Sequence, residues 1–295
     1  MQTPFPFLAI ESLAFWALLP AYPLVIVALV RKRRGLAGWL AAIALVHLGW
    51  TFEWVHRIEA QDGGHTLLRI VDSNLLAPHP SEALARELMA ADADVIVVQE
   101  LSDVWLAELD AAGAATRYPH RVIEPHALSA DYFGVGIFSR LPLEASGIEH
   151  LPAAEFVPMA WADVRIADRI VRIESVHAAP PAVQAWADVW EPQMAYLARR
   201  MERETAPRDR IVVLAGDFNA SQFSFAHRRF LDVGMHEAHE SVGRGTAVTW
   251  PNGVFDVPPM RLDHVYVHGA TVRSVRELPA HTSDHSPILV ELALP

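Results

Sequence analysis

Short apolar runs that end abruptly in polar residues do most to limit what this chain can become. Val95-Ile96-Val97-Val98 runs into Gln99-Glu100, and Ile211–Ala215 runs into Gly216-Asp217-Phe218-Asn219. A third run, Leu67–Val71, ends in Asp72-Ser73-Asn74. Arg261-Leu262-Asp263-His264 abuts a fourth, and Leu278-Pro279-Ala280-His281-Thr282-Ser283-Asp284-His285-Ser286-Pro287 precedes the last. Apolar runs this short, bounded by turn-forming residues, read as buried strands. Carboxylates, amides and imidazoles delivered from strand ends are the donor set that metal-assisted phosphate-ester hydrolysis requires.

The chain has 295 residues, enough for one large domain and an appendage. Its hydrophobic fraction of 52% is high, and the excess sits in the first 55 residues. The absence of Cys excludes disulfides and thiolate metal sites. The net charge is −11; residues 1–60 carry five basic side chains and three acidic ones, which leaves −13 on the remainder. That remainder has no Lys. Proteins that track nucleic acid draw affinity from a basic stripe, so this balance argues against non-specific nucleic-acid binding.

Two apolar segments open the chain. One runs from Phe5 to Val30, with Glu11, Pro20 and Pro23 inside it; the other runs from Leu36 to Val55, with His47 and Glu53. Each is long enough to cross a hydrocarbon core. Arg31-Lys32-Arg33-Arg34-Gly35 lies between them, and the positive-inside rule places this turn in the cytoplasm. The expectation is a membrane anchor of two transmembrane helices over 1–55, a linker over 56–66 and a catalytic domain over 67–295 on the extracytoplasmic side of the cell membrane. A cleaved signal peptide fits poorly, because no basic residue precedes the first segment and Thr51-Phe52-Glu53-Trp54-Val55 is an aromatic belt. A buried soluble helix pair is the other alternative.

Beyond the linker, strands and helices alternate. Leu67–Val71, Asp94–Val98, Gly134–Ser139, Met159–Ile166, Arg169–Val176, Ile211–Ala215, Ala247–Trp250, His264–Val267, Val272–Arg276 and Pro287–Leu292 read as strands. Ser81–Ala91 reads as a helix capped by Ser81. Val183, Trp186, Trp190, Met194, Leu197 and Met201 repeat at helical spacing and predict a core-facing stripe.

The five polar fragments, in this order along the chain, resemble the endonuclease/exonuclease/phosphatase (DNase-I-like) superfamily from about Leu67 to Leu292. That resemblance implies a four-layer α/β/β/α sandwich and a phosphoester hydrolase that uses Mg²⁺ or Mn²⁺. It implies Glu100 as principal metal ligand, with Asp284, Asn74 and Asp217 on the metal side. It implies a catalytic set of His285, Asp263, Asp217, Asn219 and His177, with Asn74, Asn219 and His177 contacting the phosphate. The pair His285–Asp263 would need a β-meander to meet, and strand alternation would put Asp217 and Asn219 on one face, unless an Asx-type turn closes that strand. The role of His285, as base or as charge stabiliser, stays open. His264 and His281 read as supporting or surface residues, and Tyr118, Tyr132 and Arg140 lie near loops expected to rim the cleft.

The N-terminal spans add a resemblance to the membrane-anchored, teicoplanin-resistance-type bacterial members of the superfamily. This implies a lipid-linked phosphate or pyrophosphate of the cell envelope, such as undecaprenyl pyrophosphate, as substrate. The alternative is an extracytoplasmic metal-dependent nuclease, which a cleft formed by Arg121, Arg140, Arg165, Arg244 and Arg261 would favour. A catalytically silent binding protein is the third reading, and the presence of every expected polar position opposes it.

Overall fold

A computed structural model describes residues 5–55, 66–126, 132–207, 209–252 and 258–295. Three helices come first: α1 (Phe5–Leu18), α2 (Ala21–Val30) and α3 (Arg34–Val55). There follow β1 (Thr66–Asn74), α4 (Glu82–Ala90), β2 (Val95–Gln99), α5 (Asp103–Ala111), α6 (Ala114–Arg117), β3 (His120–Glu124), β4 (Val135–Ser139), β5 (Leu143–His150), β6 (Pro158–Ile166) and β7 (Arg169–His177). The chain ends with α7 (Gln184–Thr205), β8 (Ile211–Asp217), α8 (Phe225–Asp232), β9 (His236–Glu237), α9 (Ala238–Ser241), β10 (Asp263–His268), β11 (Thr271–Glu277) and β12 (Ile288–Leu294). The expected linker lies outside the described residues except for Thr66, which opens β1 opposite Leu294.

The strands form two six-stranded sheets, ordered β11-β12-β1-β2-β4-β3 and β5-β6-β7-β8-β10-β9. Each sheet has one parallel pair, β1/β2 or β7/β8, and is otherwise antiparallel. Parallel neighbours need a crossover, which α4 and α7 supply. The side-chain period of two explains the layers. Along β2, Val95 and Val97 enter the core between the sheets, while Ile96 and Val98 pack under α4 and α5. Along β8, Ile211, Val213 and Ala215 face the other sheet, while Val212 and Leu214 pack under α7 and α8. Burial on both faces makes these runs read as unbroken apolar stretches, and each such side chain contributes about 1.5–3 kcal/mol. The result is the expected α/β/β/α sandwich.

Ser81, Ser102 and Ser224 cap α4, α5 and α8 by accepting from Leu84 N, Trp105 N and His227 N. The stripe on α7 buries Trp190, Met194, Leu197 and Met201; Val183 instead sits exposed just before the helix. Ala247–Trp250 is not a strand, since only Trp250 forms a bridge there, to Met260. The side chains of Thr249 and Trp250 are used instead to hold the site, as described below.

The first apolar segment is not one straight helix. It breaks after Leu18 into α1 and α2, bent by 43°. Pro20 precedes α2 and Pro23 lies in its first turn, where a missing N–H costs nothing, but neither can continue α1. α3 is long and apolar enough to cross a membrane by itself; α1 and α2 qualify only as one broken span.

Candidate active site

The site forms where the core between the sheets gives way to polar side chains. Asp72 and Asn74 continue the inward parity of Leu68 and Ile70 on β1; Gln99 continues that of Val95 and Val97 on β2. His177, Asp217 and Asp263 do the same on β7, β8 and β10. Register then aligns them: Asp217 lies opposite Asp263 on one side and His177 on the other. Gly216 permits this packing, because a Cβ there would stand 1.9 Å from Val176 O.

Asn74 joins the two sheets. Its Nδ2 donates to Glu100 Oε1 at 3.2 Å and to Asp217 Oδ2 at 3.0 Å, while its Oδ1 accepts from Leu76 N. Both amide hydrogens are committed to carboxylates, leaving none for a phosphoryl oxygen. Glu100 follows β2 with φ 56° and also accepts from Ala77 N at 2.8 Å. Asn219, two residues after β8, likewise has a positive φ, 47°. It does not meet Asp217 by strand alternation: its backbone N donates to Asp217 Oδ1 at 2.8 Å in an Asx turn. The Asn219 amide donates to Ala178 O at 2.9 Å, which leaves its second hydrogen for a ligand.

His285 Nδ1 lies 2.8 Å from Asp263 Oδ2, and its Nε2 lies 3.8 Å from Asp217 Oδ2. No meander brings this pair together. β10 belongs to one sheet and β11 and β12 to the other, so the chain crosses between sheets and the β11–β12 loop carries His285 back to Asp263. Ser283 pins that loop: its Oγ donates to Asn74 O and accepts from His285 N. Asp284 lies beside His285, 3.9 Å from Nε2, and accepts from Trp250 Nε1 at 3.1 Å. Thr249 Oγ1 accepts from the backbone N of Leu262 and Asp263, fixing the start of β10.

Burial and crowding set the protonation states. Burial pushes Asp217 up to about 7, and burial likewise raises Glu100. Burial and then Asp263 raise Asp72 well above the usual carboxylate range. For His285 burial acts downward, but Asp263 and Asp217 outweigh it and raise the imidazole to about 10. Burial and the neighbouring His285 lower His177 to about 3, so it is a neutral ring at ordinary pH.

The same residues fit a divalent cation. Glu100, Asp217 and Asp284 have no Arg or Lys within ion-pair distance among the described residues, and buried oxygens of Asp263 and Asp284 lack hydrogen-bond partners. Such an excess of oxygen donors suits a hard ion. Asp217, Asp263 and His285 present donor atoms within 4.8 Å of one another. Because Asp263 already occupies His285 Nδ1, the atoms of that trio left to face a ligand are His285 Nε2 and the Asp217 carboxylate, 3.8 Å apart.

Residues 71–285 match the model of the endonuclease/exonuclease/phosphatase family. The chain belongs to that family. It is a metal-dependent phosphoesterase, and no curated protein matches it in sequence. Truncated Caenorhabditis elegans TDP2 superposes with TM-score 0.64 at 16% identity, over 79% of this chain and all (100%) of that one. A Bacteroides vulgatus endonuclease/exonuclease/phosphatase gives 0.62 at 17%, over 78% of this chain and 100% of its own. D. rerio TDP2 in complex with a single-strand DNA product gives 0.60 at 19%, over 77% and 98%. At these identities the likeness is one of fold.

Several family-site supports were not singled out from sequence: Asp72 with Gln99 (2.8 Å), Ser283, Thr249 and Trp250. Asp72 and Ser283 stood inside the polar fragments, whereas Thr249 and Trp250 carried no motif. Tyr118 and Arg140 do not rim the cleft: Tyr118 is buried under Arg140 and donates to Ala93 O. The five arginines do not converge into a basic cleft. Arg121, Arg140, Arg165 and Arg244 pair with Asp110, Asp92, Glu144 and Glu277, and buried Arg261 is held by Glu237 and Glu240. His264 is buried and bonds Ala220 O, and His281 approaches Glu87 at 3.5 Å.

Proposed function

We propose that this phosphoesterase is held in the cell membrane by residues 1–55, with its site on the extracytoplasmic side, and acts on a lipid-linked phosphate or pyrophosphate. The observation that carries the reading is the outward apolar surface of α1–α3, which bear exposed Ile10, Ile26, Val30, Trp39, Leu45 and Val46, beside the basic turn at Arg31–Arg34. A soluble helix pair would bury these side chains. α1 also docks onto the site's rim, with Trp16 Nε1 donating to Pro259 O and Phe15 stacked on Phe223 at 5.0 Å.

In this reading Glu100 and Asp284, with Asn74 Oδ1 and Asp217, would hold Mg²⁺ or Mn²⁺. When bound, such an ion neutralises phosphoryl oxygens as a Lewis acid. Asp217, whose Oδ2 lies 3.7 Å from His177 Nε2 and 3.8 Å from His285 Nε2, orients the attacking water and takes its proton. His285, kept as an imidazolium by Asp263 and Asp217, stabilises negative charge rather than acting as the base. Asn219 offers its free amide hydrogen, and neutral His177 offers a ring N–H to a phosphoryl oxygen.

The test is hydrolysis of polyprenyl pyrophosphate, a choline phospholipid and duplex DNA, read as inorganic phosphate, phosphocholine and shortened or nicked strands respectively, with Glu100→Ala as control and EDTA as a second control. Turnover of the polyprenyl ester alone, abolished by either control, is the expected result. Preference for DNA would favour the second reading, an extracytoplasmic nuclease, which the DNA-product complex of D. rerio TDP2 supports and the paired arginines oppose. The chain has no Cys, so single introduced cysteines report topology cleanly; labelling of the sandwich only from the cytosolic side would overturn the proposed location.

A further inference from the structure

One wall of the cavity beside Asn219 does not belong to the sandwich. Leu8 and Ala9 of α1 face Pro181, Trp190, Asn219 and Ala220 around a cavity of about 70 Å³, whose remaining lining is polar: Glu11 and Ser12 of α1 and Ser224 before α8. Leu8 is only 8% exposed and packs into the core cluster that contains Trp190. Its helix neighbours Phe7 and Ile10 stand 57% and 62% exposed. The helix therefore gives one face to the cavity and the others to its surroundings. Its seat is fixed by Glu11 Oε2, which accepts from Phe225 N at 3.2 Å, as well as by the Trp16 and Phe15 contacts above.

The other wall leads to the reacting centre. Asn219 lines the cavity and is tied to Asp217 by its Asx turn. One helical turn before Trp190, Trp186 joins Phe133 and Phe156 in an aromatic cluster, and the Phe133 ring lies 4.9 Å from that of His177. Tyr132, Phe156 and Val183 remain exposed on this side. An apolar margin thus runs from His177 past Trp190 to a helix whose outer faces are apolar. A hydrophilic phosphate ester gains nothing from such a margin, because water already satisfies it; a hydrocarbon chain is stabilised by each methylene it buries.

We propose that the cavity between α1 and Trp190 receives the first carbons of the substrate's hydrocarbon chain, so that a membrane lipid's phosphate reaches Asn219 sideways from the bilayer. α1 is then a substrate-binding element as well as an anchor. This inference rests on the lipid-substrate reading and narrows it to a route and a set of contacts.

The experiment uses the full chain in vesicles of phosphatidylethanolamine and phosphatidylglycerol. Two rates are compared: hydrolysis of embedded polyprenyl pyrophosphate and of soluble bis(p-nitrophenyl) phosphate. Ala9→Trp fills the cavity and is expected to lower the ratio of the two kcat/KM values by roughly ten- to hundredfold, the range a few apolar contacts supply. A variant that lowers both rates in equal proportion, or neither, overturns the cavity assignment and leaves the lipid reading standing. If the wild-type chain cleaves the soluble ester but not the lipid, the lipid reading falls and this inference falls with it. Should Ala9→Trp fail to fold, a polyprenyl monophosphate with a diazirine on its first isoprene unit gives a second readout in the wild-type chain. Crosslinks on the peptides bearing Leu8 and Trp190 are expected, and crosslinks confined to α3 overturn the route.

Discussion

The first 55 residues and the sandwich place their apolar side chains in opposite ways. In the sandwich, Ile70, Val97, Ile137 and Val213 are fully buried between the sheets. In α2 and α3, Ile26, Val30, Leu45 and Val46 are mostly exposed, and helix contacts bury chiefly small residues such as Ala21, Ala28 and Ala37. The same residue types are sorted by opposite rules because only one region builds its own apolar interior. The polar residues follow suit. The sandwich gathers carboxylates where its inner seam ends, while the helices concentrate charge in the short turn at Arg31–Arg34.

Changing the end of the seam gives the largest expected effect. Glu100→Ala and Asp217→Ala should each lower kcat by about 10³-fold or more, the scale of losing a preorganised charge contact. Circular dichroism should show the melting temperature held or raised, because each removes a carboxylate from a crowd of like charges. A collapse of the fold would mean that the seam's polar end is structural. Next comes the core itself. Ile137→Ala should cost the sandwich about 2–5 kcal/mol in chemical denaturation. Ile26→Ala should change that value by less than about 0.5 kcal/mol; equal losses would erase the distinction between the regions.

Two exposed leucines sharpen the comparison further. Leu45→Asp on α3 should weaken membrane insertion by about 3 kcal/mol, read as a shift from pellet to supernatant on fractionation. Leu67→Asp on β1, also exposed, should leave fractionation unchanged. The smallest effect concerns acid stability. For Glu277, burial acts upward but hydrogen bonds from His239 and Arg244 prevail, lowering its pKa to about 2 from 4.5. Its stabilising contribution is full above about pH 4.5 and is lost as pH falls toward 2. Glu277→Gln should flatten that limb of a stability-versus-pH curve, and an unchanged curve would contradict the pairing.

Much of the sandwich was legible because its central strands are apolar on both faces. β1, β2, β4, β8, β10 and β12 stood out for that reason, and β6 and β7 by alternation, with Val164, Val171 and Ile173 facing the core and Asp163, Arg172 and Glu174 on the other face. β3 and β5 did not, since half-exposed edge strands such as Leu143–His150 carry weak patterns. The site residues were legible as fragments, yet their assembly was not. Nothing local said that the chain changes sheets between β10 and β11, or that Asn219 turns back onto Asp217 through a positive φ. The break between α1 and α2 was written in Pro20 and Pro23, but its angle is set by packing.

Among the described residues, the Asn74 amide alone is hydrogen-bonded at once to Glu100 at the end of one sheet and Asp217 at the end of the other. Any slip of the layers past each other must therefore lengthen one of those two contacts. The amide acts as a strain gauge, and turnover will register small misalignments of the halves well before ordinary spectroscopy reports a loss of secondary structure.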